Sequence, residues 1–471
     1  MRDEFFWLGQ MNKATVVTNT RLGLLSTDLA KKAAVGIQTV LDSGVDPENR
    51  VKRVIQFEPK LIAAAGPEVT VIHVGRSSQD MHSTYRSAMM RDHVLRLADS
   101  LTTVMTRLIE LGQEHKDTIL PSYTNGVAAQ PTSFAHYLLG FLEGFKRDHE
   151  RLVEFYDRLN VCPMGACVLN GTGWPLDRDG MATRLGFDKP TRNAFDATQI
   201  SMTDLPVELA QIQSSIGLHV GHFIADIMTQ YAQPRPWILL AEGNTYVSSA
   251  MPQKRNPGLM ISVRGYASDV VSDAMSVLTR AHNTNTGMID GKSTKIHAGI
   301  IDDTIKMLEN LMKVLNSLVI NKERAIEELN LDWTASQEIA DRLMHDHKVP
   351  FRIGHHVASK MVGYARANGI LPLTFPYAEM QRIYKEVIEA EYPEGDHSCP
   401  MSEEEFKAAL DPRDIINNRK TSGSAAPKEV SRMLEELTAE VAAFNLWSKQ
   451  KSEAIDASIA SLDEEFQSFL K

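Results

Sequence analysis

Cysteine is scarce: the 471 residues contain three, Cys162, Cys167 and Cys399. Three thiols cannot all pair, and Cys162 and Cys167 lack a partner cluster of metal-ligand type. Both therefore read as reduced core thiols, and no metal or cofactor is expected. No stretch approaches about 18 consecutive apolar residues, which removes a membrane-spanning helix. The first ten residues have an acidic start and no apolar run followed by a cleavage site. A reducing, aqueous compartment follows, most simply the cytoplasm. Positive charge is also short, with 50 Lys and Arg against 60 Asp and Glu and a net charge of -10. That balance gives no basic footprint for nucleic acid. An anionic small-molecule substrate stays open, because local Arg and Lys placement decides it. Strand-like alternation is nearly missing, apart from a short run at Val69–Val74.

What is present is helical periodicity. Val94, Leu97, Leu101, Val104, Leu108 and Leu111 alternate steps of three and four, and Leu209, Ile212, Ile216, Val220, Phe223 and Ile227 repeat the pattern. Both stripes read as bundle core. Polar, Gly-rich or Pro-bounded segments interrupt them at Gly75–Thr84 (GRSSQDMHST), Tyr123–Pro131 (YTNGVAAQP) and Ala241–Pro257 (AEGNTYVSSAMPQKRNP). A fourth irregular stretch runs from His282 to Lys292. Long apolar helices broken by a few polar turns place chemistry at helix ends. The expected organisation is all-α, with an N-terminal helical domain at 1–81, a central bundle at 82–328 and a smaller helical domain at 329–471. In the last, helices are expected at Ala335–His347 and Gly354–Asn368, with a looser stretch before Pro427.

The segment from Ser248 to Pro257 has the residues for proton abstraction. Two serines, a lysine and an asparagine lie beside a Pro-bounded turn that cannot be regular helix. A serine hydroxyl is a poor base unless its oxyanion is stabilised, and a nearby lysine does this. Removing a proton beside a carboxylate builds a doubly charged aci-carboxylate, which fixed donors must hold. Lys254 and Asn256 supply a cation and an amide. Read alone, the same residues also describe a surface turn with a basic residue.

The run SSAMPQKRNP resembles the catalytic-serine loop of the fumarase/aspartase superfamily. Cys162–Phe187 and Val349–Arg352 followed by His355 and His356 resemble the argininosuccinate lyase branch, as does TSGSAAPKEV at Thr421–Val430. The resemblance covers nearly the whole chain, in order. It implies three mostly helical domains with a long central bundle. It also implies a homotetramer with a twenty-helix core, whose active sites are each built from three subunits. Carried over by position, Ser248 is the base, and Lys254 and Asn256 hold the carboxylate and oxyanion. Ser77, Ser78 and Gln79 belong to the first substrate-binding region, Thr124, Asn125 and Gln130 to the second. Ser249 and Met251 contact substrate from the loop.

The departures are informative. Many members carry a His in the second region, paired with a Glu five residues beyond the loop asparagine. Here those positions are Asn125 and Ile261. A lone Glu facing Asn125 would be buried without a partner, so the joint loss reads as a redesigned pocket. The first region is Ser77-Ser78-Gln79 rather than Ser-Arg-Asn. The later Tyr-Asn-basic-Asp-Leu-Gln run is replaced by Thr284–Ile289. The resemblance therefore implies a C–N lyase acting on an N-substituted aspartate of the aminopolycarboxylate type, as in ethylenediamine-disuccinate lyase. The dicarboxylate product would be fumarate. Argininosuccinate lyase proper and a carboxymuconate-type cycloisomerase are the alternative enzymes. A crystallin-like structural role is opposed by retention of Ser248, Lys254 and Asn256. His82, five residues after Ser77, is a possible replacement acid. His136 reads as a satisfied core histidine.

Overall fold

The computed structural model describes residues 2–289, 292 and 294–471, the side chains of 294–296 excepted. Among these residues the chain forms sixteen α-helices and four two-stranded β-ladders. The N-terminal part holds α1 (Glu4–Arg21), α2 (Thr27–Ser43) and α3 (Val54–Ala65). Val69–Val74, the run that alternates like a strand, is instead mostly a 3-10 helix at Pro67–His73. Gly66 and Pro67 start that turn, and Val69 and Ile72, three residues apart, are its buried positions.

The long bundle follows. It comprises α4 (Ser78–Glu114), α5 (Phe134–Leu159), the short α6 (Arg178–Arg184), α7 (Ser201–Tyr231), α8 (Gly258–Ala281) and α9 (Thr294–Leu315). Both sequence stripes are buried along α4 and α7, with every one of the twelve residues 5% exposed or less. Each such side chain contributes roughly 2 kcal/mol of burial, so packing rather than helix propensity holds these elements. Where α7 meets α8, a Cβ on Gly217 would stand 3.2 Å from the Ala267 carbonyl and 3.3 Å from Val271. The two helices can approach this closely because that position has no side chain.

The ladders mark the bundle ends. β1 (Ile119–Thr124) and β2 (Val127–Ser133) form an antiparallel hairpin, absent from the sequence reading. Asn125 and Gly126 occupy its tip with φ of 53° and 79°, the pair of left-handed residues a type I′ turn requires. The dipeptide Asn-Gly was the signal for it. β3 (Val161–Cys162) pairs in parallel with β4 (Lys189–Pro190). β5 (Ile238–Leu240) pairs antiparallel with β8 (Leu318–Ile320), and β6 (Tyr246–Val247) with β7 (Arg255–Asn256).

After α10 (Lys322–Leu331), α11 (Ser336–His345) and α12 (Phe351–Asn368) match the two helices expected there. The stretch expected to be looser contains α13 (Tyr377–Glu391), α14 (Glu403–Leu410) and α15 (Pro412–Asn417). Asp396 to Pro400 and the neighbouring Pro and Gly residues interrupt the periodicity without preventing short capped helices. Ser402 caps α14 in a reciprocal pair with Glu405. Residues 333–415 build a second hydrophobic core of their own. The last helix, α16 (Pro427–Gln467), leaves it and packs on α4, α1 and α5. The division at 81/82 and 328/329 is a proposal, and the return of α16 is the observation that bears on its last member. All three cysteines are free; Cys162 is buried as expected, whereas Cys167, also expected in the core, is only partly buried, in a turn where its φ is 46°.

Candidate active site

The segment GRSSQDMHST is not a loop for most of its length. Ser77 is the N-cap of α4, closing a capping box with Asp80. Its Oγ donates to Asp80 Oδ1 at 2.9 Å and accepts from the Gln79 and Val168 N–H groups at 3.2 and 3.1 Å. One donor and two acceptor positions exhaust a hydroxyl. Asp80 is fully buried and also accepts from the Gly165 and Cys167 N–H groups. Ser78 and Gln79 are the first helical residues, where the positive end of the helix dipole favours an anion. His82 sits one turn further, edge-on to Tyr85 at 5.6 Å. Burial, then the charges of Arg86 and Arg53, push its imidazole down to about 4.

The second region is the tip of the β1–β2 hairpin. Thr124, Asn125 and Gln130 are exposed there, and Gln130 Nε2 donates to Gln337 Oε1 at 2.7 Å. Tyr123 anchors the hairpin: its hydroxyl donates to Glu328 and accepts from Trp237 Nε1 at 3.4 Å. Burial and the hydrogen bond to Glu328 raise the phenol to about 12. His136, near the start of α5, bonds Thr132 Oγ1 and the Gly423 carbonyl, so both ring nitrogens are used.

The third region is a strapped loop. β6 and β7 close it, the Asn256 amide donates to the Tyr246 carbonyl at 3.0 Å, and Tyr231 at the end of α7 donates to the Arg255 carbonyl at 2.9 Å. Between the strands Ser248 Oγ accepts the Ala250 and Met251 N–H groups, each at 3.2 Å. Among the described residues its hydroxyl donates to no protein group. The Lys254 N–H closes the next turn on the Met251 carbonyl at 3.0 Å. Ser249, Met251 and Lys254 are exposed, and Gly243 bends the entry with φ 89°. Ile261, where relatives of the resembled type carry Glu, is 41% exposed on α8.

These regions do not meet in one chain. α4 has 37 residues, roughly 55 Å of helix. Ser77–Gln79 lie at its start, whereas the hairpin begins five residues beyond its end. Tyr231 and Trp237 tie the Ser248 loop to the hairpin end. Among the described residues no hydrogen bond joins the first region to either of the other two. In the His282–Lys292 stretch, Asp290 and Gly291 lie outside the described residues. Lys292 itself is 3% exposed and donates to the Thr198 carbonyl and Gln199 Oε1 at 2.8 and 3.1 Å. Sequence reading passed over it. The signal was its position at the close of a segment already marked as irregular.

The chain is similar to known proteins over most of its length. A family model described as "Lyase" matches residues 31–272, and one described as "Argininosuccinate lyase C-terminal" matches residues 333–417. The argininosuccinate lyase of Acetivibrio thermocellus is 31% identical over 386 residues, 81% of this chain and 80% of that protein. That of Bacillus subtilis is 29% identical over 435 residues, 90% and 89% respectively. Among solved structures, EDDS lyase in complex with formate superposes with a TM-score of 0.87 at 24% identity, over 99% of this chain and 92% of that one. A 3-carboxy-cis,cis-muconate lactonizing enzyme from Pseudomonas putida gives 0.68 at 17%, over 93% and 95%.

Proposed function

We propose that this chain, which belongs to the lyase family in the argininosuccinate lyase-like branch of the fumarase/aspartase superfamily, cleaves the C–N bond of an N-substituted aspartate to fumarate and an amine. The observation that carries this reading is the Ser248 oxygen, which receives two backbone N–H groups at 3.2 Å inside a loop that also bears Lys254. Donors aimed at an oxygen favour its charged form, so the turn lowers the cost of a serine alkoxide. As base, Ser248 takes the proton beside the distal carboxylate. The carbon electron pair moves into that carboxylate as an aci-dianion, which Lys254 neutralises. Collapse of the dianion forms the fumarate double bond and breaks the C–N bond; the substrate nitrogen, bound as its ammonium form, keeps the pair and its proton and leaves as a neutral amine. Asn256, whose amide straps the loop to Tyr246, sets where Lys254 stands.

The substrate carboxylates are assigned to the α4 N-terminus, through Ser78 and Gln79, and to Thr124 and Asn125 from a hairpin. Ser77 holds that N-terminus in shape. The helix-length separation within one chain supports a site assembled from several copies. The face of α8 turned away from its buried Met260–Val277 stripe exposes Ile261 and Met275, as a homotetrameric bundle would use. Free thiols support a cytoplasmic setting. His82 is neutral at pH 7 in the free chain; a dianionic substrate beside Arg86 and Arg53 would raise it.

Ser248→Ala tests the reading. Fumarate formation from N-substituted aspartates should fall by about a thousandfold, about 4 kcal/mol of barrier, with thermal stability unchanged. Activity surviving within about tenfold would remove Ser248 as the base.

A further inference from the structure

A pocket that the sequence did not announce opens between the first turns of α4, the start of α7 and α9. Gln79, His82, Arg86, Met89 and His93 follow one another at steps of three and four. They share one face of α4, and seven residues, roughly 10 Å, separate the proposed carboxylate binder Gln79 from Arg86. Its walls are apolar, with Met90, Met202, Leu205, Pro206 and Ile301, and its empty space, mouth included, is about 530 Å³. The cavity volume proper is about 40 Å³, and the remainder is open to solvent.

Its titratable groups are all basic. Arg86, Lys292 and His297 line it together. Arg86 Nε is buried without a hydrogen-bond partner, and Lys292 is held by a carbonyl and an amide oxygen, neither of them charged. Among the described residues no carboxylate stands within ion-pair distance of Arg86 or Lys292. Glu4 shares the field of Arg86 from outside the pocket, and burial raises its own carboxyl. Burial, then the charge of Arg86, lowers both Lys292 and His297, the latter to about 4. Unpaired cations crowded in an apolar recess are costly alone and are relieved by an anion.

We propose that this pocket receives the amine half of the substrate, and that this half is a small amine with an apolar body and a carboxylate of its own, which Arg86 and Lys292 bind. The proposal rests on the lyase reading above. It excludes polyamines and amine halves whose far end is cationic, because among the described residues no acidic group lines the pocket.

Binding without turnover separates the two claims. Calorimetry on the full chain, with hexanoate and hexylammonium as probes, should show hexanoate binding and no hexylammonium binding. Arg86→Gln should weaken hexanoate by at least about tenfold, the value of one charged hydrogen bond, and Arg86→Lys should retain most of it. Met89→Trp, which fills the recess without touching its charge, should also abolish hexanoate binding and covers the case of an unfolded Arg86 variant. Hexylammonium binding as well as hexanoate, or hexanoate affinity unmoved by both Arg86→Gln and Met89→Trp, would overturn the pocket. In fumarate consumption, amino acids should outrun their decarboxylated amines, and the reverse order would overturn the substrate class. Hexanoate bound through Arg86 in a chain that releases no fumarate would keep the pocket and sink the lyase reading alone.

Discussion

Two serines with similar hydrogen bonds have different prospects. Ser77 and Ser248 each accept two backbone N–H groups, but Ser77 also donates to a fully buried Asp80, which spends its proton. Its spacing to Asp80 was legible in the sequence as a capping signature, and resemblance alone drew attention to substrate instead. Ser77→Ala should therefore lower the stability of the chain by about 1–2 kcal/mol in urea unfolding, where Gln79→Ala leaves it unchanged. Equal stabilities for the two variants would return Ser77 to a purely substrate-binding role. His149 is a residue the sequence could not single out. It is fully buried, stacks on Phe444 at 4.0 Å, and neither ring nitrogen has a partner. Burial alone pushes it down to about 4. Because the folded value lies below the unfolded one, the unfolded chain binds the extra proton as pH falls. Stability is full above about 6.5 and declines toward 4, by about 3 kcal/mol for this group. His149→Phe keeps the stack and should reduce the slope of the unfolding free energy between pH 6.5 and 4, leaving the share of His73, His82 and His297, which burial also lowers to about 4. An unchanged slope would remove His149 as the source.

At the scale of elements, α4 and α7 were legible because each carries six core residues at unbroken helical steps. The hairpin was not, since Pro121 and Pro131 break its alternation, and its Asn-Gly tip was read as part of a polar segment. The short helices α13 to α15 were missed for a related reason, as Pro and Gly between them hide a period that tertiary packing completes. Asn125 has a second consequence. It stands at φ 53°, a conformation costing most residues roughly 1–2 kcal/mol but tolerated by Asn and His. Asn125→His with Ile261→Glu can thus restore the missing pair without breaking the turn. The double variant should gain less than about tenfold in argininosuccinate cleavage, because the pocket proposed beyond Gln79 favours a different amine. A large gain would show that the departure is not an adaptation.

At the scale of the molecule, the family, the all-α architecture and the loop bearing Ser248 were readable from ordered motifs along the chain. The distances between them were not, because sequence order carries no information on which end of a 37-residue helix a segment occupies. The structure puts Ser77–Gln79 and the Ser248 loop at opposite ends of the bundle, so the proposed chemistry requires other copies of the chain. Subunit mixing tests this most directly. Ser248→Ala and Gln79→Ala, each inactive on the best N-substituted aspartate, carry different affinity tags, are dissociated and re-annealed in equal amounts, and are purified through both tags in turn to isolate mixed oligomers. A site that draws the two residues from different subunits predicts that fumarate release returns in the mixture. Mixed oligomers as inactive as either parent would contradict it.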